Sequence, residues 1–181
     1  KEINSKIFNP IIPEPFKTKL SNKFLKNPNK KFFFKNTEMQ NVFLLLKKTT
    51  ERLGINFTEN SGIEIKFDRV EMEVDAYKII IDSNKVQVLS NCYGGSFYAL
   101  ISILQLCYFY SGNLPIGIIE DKPKFAWRGM HLDCARQFYS IKTIKRLLIY
   151  MSFFKLNRFH WHLTDNEAWR LDIESFPNLA K

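Results

Sequence analysis

Cysteine is scarce: Cys92, Cys107 and Cys134 are the only three in 181 residues. They are too widely spaced for a disulfide framework and form no Cys-x-x-Cys metal pair. Cys107 and Cys134 fall in apolar patterns and read as small core residues. Long hydrophobic runs are missing too. The longest, ALISILQLCYFY (99–110), is broken by Ser102 and Gln105 and falls short of the ~18 residues a membrane span needs. Acidic residues are sparse at the start, where residues 1–35 set nine lysines against Glu2 and Glu14 and so carry seven of the nine net positive charges. That leader has no arginine, and no RNP, zinc-finger or basic-helix pattern accompanies it. Its charge therefore reads as solvated surface, and no nucleic-acid partner is expected. The chain opens at Lys1 without a signal-peptide core. An export signal removed earlier would leave the same start, so the compartment stays open between cytoplasm, periplasm, lysosome and exterior.

What is present is apolar material for a core: 45% hydrophobic residues, 17 of them Phe. In NPIIPEPFKTKL (9–20) three prolines favour extended backbone and exclude helix. KKFFFK (30–35) reads as a short strand. Thr37 and Gln40 have the capping-box form, and Val42, Leu45, Leu46, Thr49 and Leu53 then share one helical face, with Gly54 placed to end it. Residues 62–67, 76–82 and 85–90 read as strands, the last two a hairpin turning at Ser83-Asn84. A second helix is expected over 93–110, with Phe97, Leu100, Ile101, Leu104 and Tyr108 at helical spacing. This makes an α+β domain, 1–120. SGNLPIGIIEDKPKF (111–125), with two Gly and two Pro, reads as the boundary of a second domain, 121–181. There WRGMHLDCAR (127–136) is a strand candidate, and Ser140 can cap a helix whose Ile141, Ile144, Leu148 and Met151 share a face. NRFHWHL (157–163) is the next strand. Strand–helix–strand in so short a stretch is a βαβ unit with parallel strands.

NRFHWHLTDNEAWR (157–170) holds the chemistry. Alternation along a strand puts Phe159, Trp161 and Leu163 on one face and Arg158, His160, His162 and Thr164 on the other. Asp165 follows at the strand end, where α/β folds place functional groups. Arg136 lies one βαβ repeat earlier, so the two could sit side by side. A planar guanidinium and a carboxylate suit the vicinal hydroxyls of a sugar; they equally suit a structural ion pair. His160-x-His162 also resembles the ligand pair of barrel zinc hydrolases. Such sites usually need three protein ligands, and His131 falls on the other strand, so no metal and no cofactor is assigned.

Residues 123–179 closely resemble the start of the catalytic barrel of glycoside hydrolase family 20, the β-N-acetylhexosaminidases. The motifs keep a fixed order: F-x-W-R-G, L-D-x-x-R, K-L-N, H-W-H-L-T-D, W-R and F-P-x-L. Residues 1–120 resemble, more weakly, the α+β domain that precedes that barrel. The resemblance implies an α+β N-terminal domain followed by the first βαβ of a (β/α)8 TIM barrel, truncated here. It implies that Arg136 holds the sugar hydroxyls and that Asp165 supports the catalytic histidine and acid network. Trp161 and His162 fall to the site wall. Arg128 falls to support of the barrel. The substrate would be a glycan ending in N-acetylglucosamine or N-acetylgalactosamine, hydrolysed with retention by the substrate's own acetamido group, an exception to the two-carboxylate scheme.

Three departures accompany the resemblance. Gln137 stands where the family usually has His, and Asn166 where it often has a second Asp. The family's Asp-Glu pair, which orients the acetamide and protonates the leaving oxygen, has no counterpart, because the sequence contains no Asp-Glu dipeptide. A barrel of about 250 residues has no room after position 121. The chain is therefore expected to be an inactive fragment lacking the rest of the barrel. Two rivals remain: a metal-dependent hydrolase on His160 and His162, and a non-catalytic carbohydrate-binding remnant.

Overall fold

The computed structural model describes residues 7–35, 37–166 and 168–180; the side chains of residues 37, 38, 42, 43, 45 and 49 lie outside that description. The chain divides into two compact units, Lys1–Lys124 and Phe125–Lys181.

The first unit is one mixed sheet with two helices. In chain order its strands are β1 (Lys17–Leu25), β2 (Lys31–Phe33), β3 (Asn56–Phe57), β4 (Ile63–Arg69), β5 (Tyr77–Ile81), β6 (Val86–Ser90) and β7 (Leu114–Asp121). They lie side by side as β1-β7-β5-β6-β4-β2-β3. The first four of that row are mutually antiparallel, while β6, β4, β2 and β3 run parallel. The β5–β6 hairpin turns where expected, with Asp82 N donating to Lys85 O at 3.0 Å. Alternation buries Tyr77, Ile79, Ile81, Val86, Val88 and Ser90 on one face and leaves their neighbours half-buried.

Helix α1 (Thr37–Arg52) ends at Gly54, whose φ of +68° suits a residue without Cβ. Of its expected apolar face, Leu46 is buried and Leu53 half-buried; Val42, Leu45, Thr49 and the Thr37 cap lie outside the described side chains. Helix α2 (Tyr93–Phe109) lies across β5, β6 and β7 and beside α1. It is buried on most of its circumference, Leu100, Ile101 and Leu104 with Ile103, Leu106 and Cys107, whereas Tyr108 is exposed. Complete burial removes Ser102 from water, and the structure satisfies it: its Oγ lies 2.6 Å from the Tyr77 hydroxyl and donates to Tyr98 O at 3.1 Å. Tyr77 in turn donates to Asp121 at 2.8 Å. Gly95 lets α2 approach the sheet, since a Cβ there would stand 2.3 Å from Ala76 O.

Two strands fall where the sequence suggested leader and boundary. β1 occupies part of the lysine-rich leader, and β7 occupies most of 111–125 as a central strand between β1 and β5.

The second unit is a βαβ: β8 (Gly129–Asp133), α3 (Ile141–Phe153) and β9 (Arg158–His162), its strands paired parallel with His131 opposite His160 and Asp133 opposite His162. Ser140 caps α3 by accepting from Thr143 N at 3.2 Å. Ile144 and Met151 are buried; Ile141 and Leu148, on the same expected face, are exposed. Arg128 braces the unit, donating to Lys155 O and Phe125 O at 2.8 Å each.

Candidate active site

The C-terminal ends of β8 and β9 lie together because the strands are parallel and in register. Asp133 closes β8, and the chain turns on it: Asp133 Oδ1 accepts from Ala135 N at 3.0 Å and Arg136 N at 3.1 Å. That turn brings the Arg136 side chain back over the strand ends. Its Nη1 meets Asp133 Oδ2 at 2.5 Å and its Nη2 meets Asp165 Oδ2 at 2.8 Å. The pair joined across one βαβ repeat is therefore formed. Asp165 also accepts from Asn166 N at 2.7 Å and lies 3.2 Å from His162 Nε2. The result is a chain of contacts Asp133–Arg136–Asp165–His162.

Both carboxylates are held ionised. The Arg136 guanidinium, with its backbone N–H, pulls Asp133 down to about 2. Asp165 is lowered by the Asn166 N–H and then by the charge of Arg136, with partial desolvation opposing. The Arg136 side chain keeps 54% of its surface exposed, so it is anchored yet accessible to a ligand. Arg170 adds a brace beneath, donating to Cys134 O at 3.0 Å and Ala135 O at 3.2 Å.

Trp161 does not stand with this group. Its Nε1 lies 3.3 Å from Cys134 Sγ, and it lines an apolar cavity of about 350 Å³ with Phe138, Ile144 and Leu163. Alternation along β9 turns it toward α3, away from His160 and His162. His162 does touch the site, through Asp165. Trp169 is half-buried, and its Nε1 has no hydrogen-bond partner among the described residues.

Asp133 and His131 are the residues that sequence reasoning left unassigned. Asp133 belongs to the quoted L-D-x-x-R motif, whose three-residue spacing to Arg136 was the available signal. His131 lies opposite His160 with ring centroids 4.6 Å apart and stands 5.6 Å from His162. The three imidazoles each offer a nitrogen within 4.8 Å of the others. His131, although on the other strand, therefore joins the His160–His162 pair.

A βαβ unit with its charged cluster at the C-terminal strand ends has the plan of an α/β enzyme. Residues 125–181 match the model of glycosyl hydrolase family 20, catalytic domain. The chain is 39% identical over 111 residues to a beta-hexosaminidase of Vibrio furnissii, a match covering 60% of this chain and 18% of that protein. It is 36% identical over 141 residues to beta-hexosaminidase subunit B1 of Dictyostelium discoideum, covering 72% and 24% respectively. A crystal structure of the GH20 exo beta-N-acetylglucosaminidase from Vibrio harveyi in complex with N-acetylglucosamine superposes with a TM-score of 0.80 at 29% identity. That superposition covers 94% of this chain and 28% of the Vibrio chain. Residues 125–181 thus carry the pattern of the glycosyl hydrolase family 20 catalytic domain, and the chain as a whole resembles the hexosaminidases of that family. It spans less than a third of the length of each of these relatives.

Proposed function

We propose that this chain supplies the sugar-anchoring part of a β-N-acetylhexosaminidase that removes terminal N-acetylglucosamine or N-acetylgalactosamine from glycans. The observation that carries the proposal is Arg136, fixed at 2.5 and 2.8 Å between two ionised carboxylates and still half exposed. A guanidinium held at both ends loses little freedom when it donates to ligand hydroxyls, and the carboxylates beside it accept from the same hydroxyls. Recognition of adjacent hydroxyls is what such a fork does best. Asp165, tied to His162 and Arg136 together, couples the sugar anchor to the imidazole and supports the acid network.

In this proposal hydrolysis is substrate-assisted. The acetamido oxygen attacks the anomeric carbon while a glutamic acid protonates the departing oxygen, and water then opens the resulting ring with retention. That glutamate and its aspartate neighbour lie outside these 181 residues. The N-terminal unit corresponds to the α+β domain ahead of the barrel, with the division near residue 120.

The test has two arms. The 181-residue chain should bind N-acetylglucosamine weakly without turning over a chromogenic N-acetylglucosaminide. A longer protein carrying this sequence and the acidic pair should hydrolyse it, and Arg136→Ala should abolish most of that activity. Hydrolysis unaffected by Arg136→Ala would overturn the assignment. Binding without turnover in the longer protein would favour the carbohydrate-binding remnant instead.

A further inference from the structure

We propose that His131, His160 and His162 form a binding site for one divalent transition-metal ion, of the zinc or cobalt type. Parallel pairing sets His131 directly opposite His160, and the two-residue period puts His162 on the same face. Three imidazoles thereby project from a hydrogen-bonded sheet whose backbone fixes their Cβ positions. Their ring centroids are 4.6, 5.6 and 6.2 Å apart, and one nitrogen of each lies within 4.8 Å of the others.

A tetrahedral ion with metal–nitrogen bonds of about 2.0–2.1 Å needs its ligand nitrogens roughly 3.3 Å apart. Side-chain rotation alone has to close a gap on the order of 1 Å. His131 and His160 are exposed and have no hydrogen-bond partner for their rings among the described residues, so no existing hydrogen bond opposes that rotation. The third ring is already held. Asp165 Oδ2 lies 3.2 Å from His162 Nε2, the carboxylate–imidazole contact that fixes the tautomer of a ligating histidine and raises its basicity. With Nε2 turned to Asp165, binding an ion through Nδ1 would leave that carboxylate contact intact. Arg158, the cation on the same strand face, is turned aside over the Trp127 ring, 5.6 Å from its centroid. An all-imidazole donor set favours zinc, cobalt, nickel or copper over magnesium and calcium, which take oxygen ligands.

The experiment titrates the tag-free 181-residue chain with Zn²⁺ and Co²⁺. The sequence contains just three histidines, so an imidazole ¹⁵N spectrum reports the whole site and nothing else. All three ring signals should shift together to a 1:1 end point, and Co²⁺ should give the intense visible bands of tetrahedral coordination. His131→Leu should weaken binding by at least about 100-fold and Asp165→Asn by about 10- to 100-fold, the cost of an outer carboxylate. Should a variant misfold, the wild-type spectrum decides. An imidazole that stays unshifted at saturation, octahedral cobalt bands, or no saturable binding below about 1 mM would each overturn the site.

Discussion

Replacing Arg136 with Ala should be legible in a neighbour before any substrate is added. Asp133 sits at about 2 chiefly because of the Arg136 side-chain contact, with the backbone N–H groups of Arg136 and Ala135 contributing less. The substitution removes the guanidinium and keeps both backbone donors. The Asp133 carboxyl should therefore climb toward its ordinary value of 3.8 without reaching it. At pH 3 a group titrating near 2 is about 90% ionised; one titrating at 3 or above is about half ionised or less. Carboxyl ¹³C shifts followed between pH 2 and 6 resolve that difference. The sign for stability follows. A folded-state value below the unfolded one contributes stability above about pH 4 that fades as pH falls toward 2. The wild type should lose stability across that window more steeply than Arg136→Ala. In a longer, active protein the same change should lower kcat/KM roughly 10- to 150-fold for each charge-assisted hydrogen bond lost to the sugar. Arg136→Lys should not restore it, because a point charge cannot span two carboxylates and a hydroxyl pair. An Asp133 titration left near 2 in Arg136→Ala would refute the electrostatic account of the cluster.

Three further outcomes are expected. Gly95→Ala should destabilise the first unit by about 1–3 kcal/mol in chemical denaturation, because its Cβ would press on the backbone oxygen of Ala76, which cannot rotate away. Ser140→Ala should cost about 1 kcal/mol by stripping the cap from Thr143 N, with loss of protection confined to the first turn of α3. Hydrogen exchange of the 181-residue chain should show slow amides in β5 and β6, each flanked by strands on both sides, and faster ones in β8 and β9, which among the described residues pair only with each other.

How far the sequence discloses this structure depends on what each signal measures. Hydrophobic periodicity found α1, α2 and α3, and alternation found β5 and β6, which bury every second residue; β8 and β9 were legible as strands although none of their residues is buried. β1 was hidden by its lysines: in KTKLSNKFL the burial pattern leaves Lys17, Lys19 and Lys23 exposed on an edge strand, where charge blocks further pairing. β7 was hidden by Pro115 and Gly117, residues that ordinarily argue against a central strand. Its register explains the tolerance. Pairing with β5 ends at Gly117 opposite Ile81, so no donor is required of Pro115 on that side. On the other side Pro115 meets Phe24 beyond an irregularity between Leu20 and Phe24.

The site divides along the same line. Arg136 and Asp165 were legible because their separation matches one βαβ repeat, and the reach of the arginine side chain tolerates a small error in the pairing. His131 was not, since its meeting with His160 depends on register, and a slip of one residue would turn it to the apolar face with Trp161. The observed register also sets Asp133 opposite His162, so sugar anchor and imidazole cluster share a single face of two strands. Asp165 touches Arg136 at 2.8 Å and His162 at 3.2 Å through the same oxygen, Oδ2. Any ion drawn to the imidazoles would therefore be felt at the guanidinium through one carboxylate.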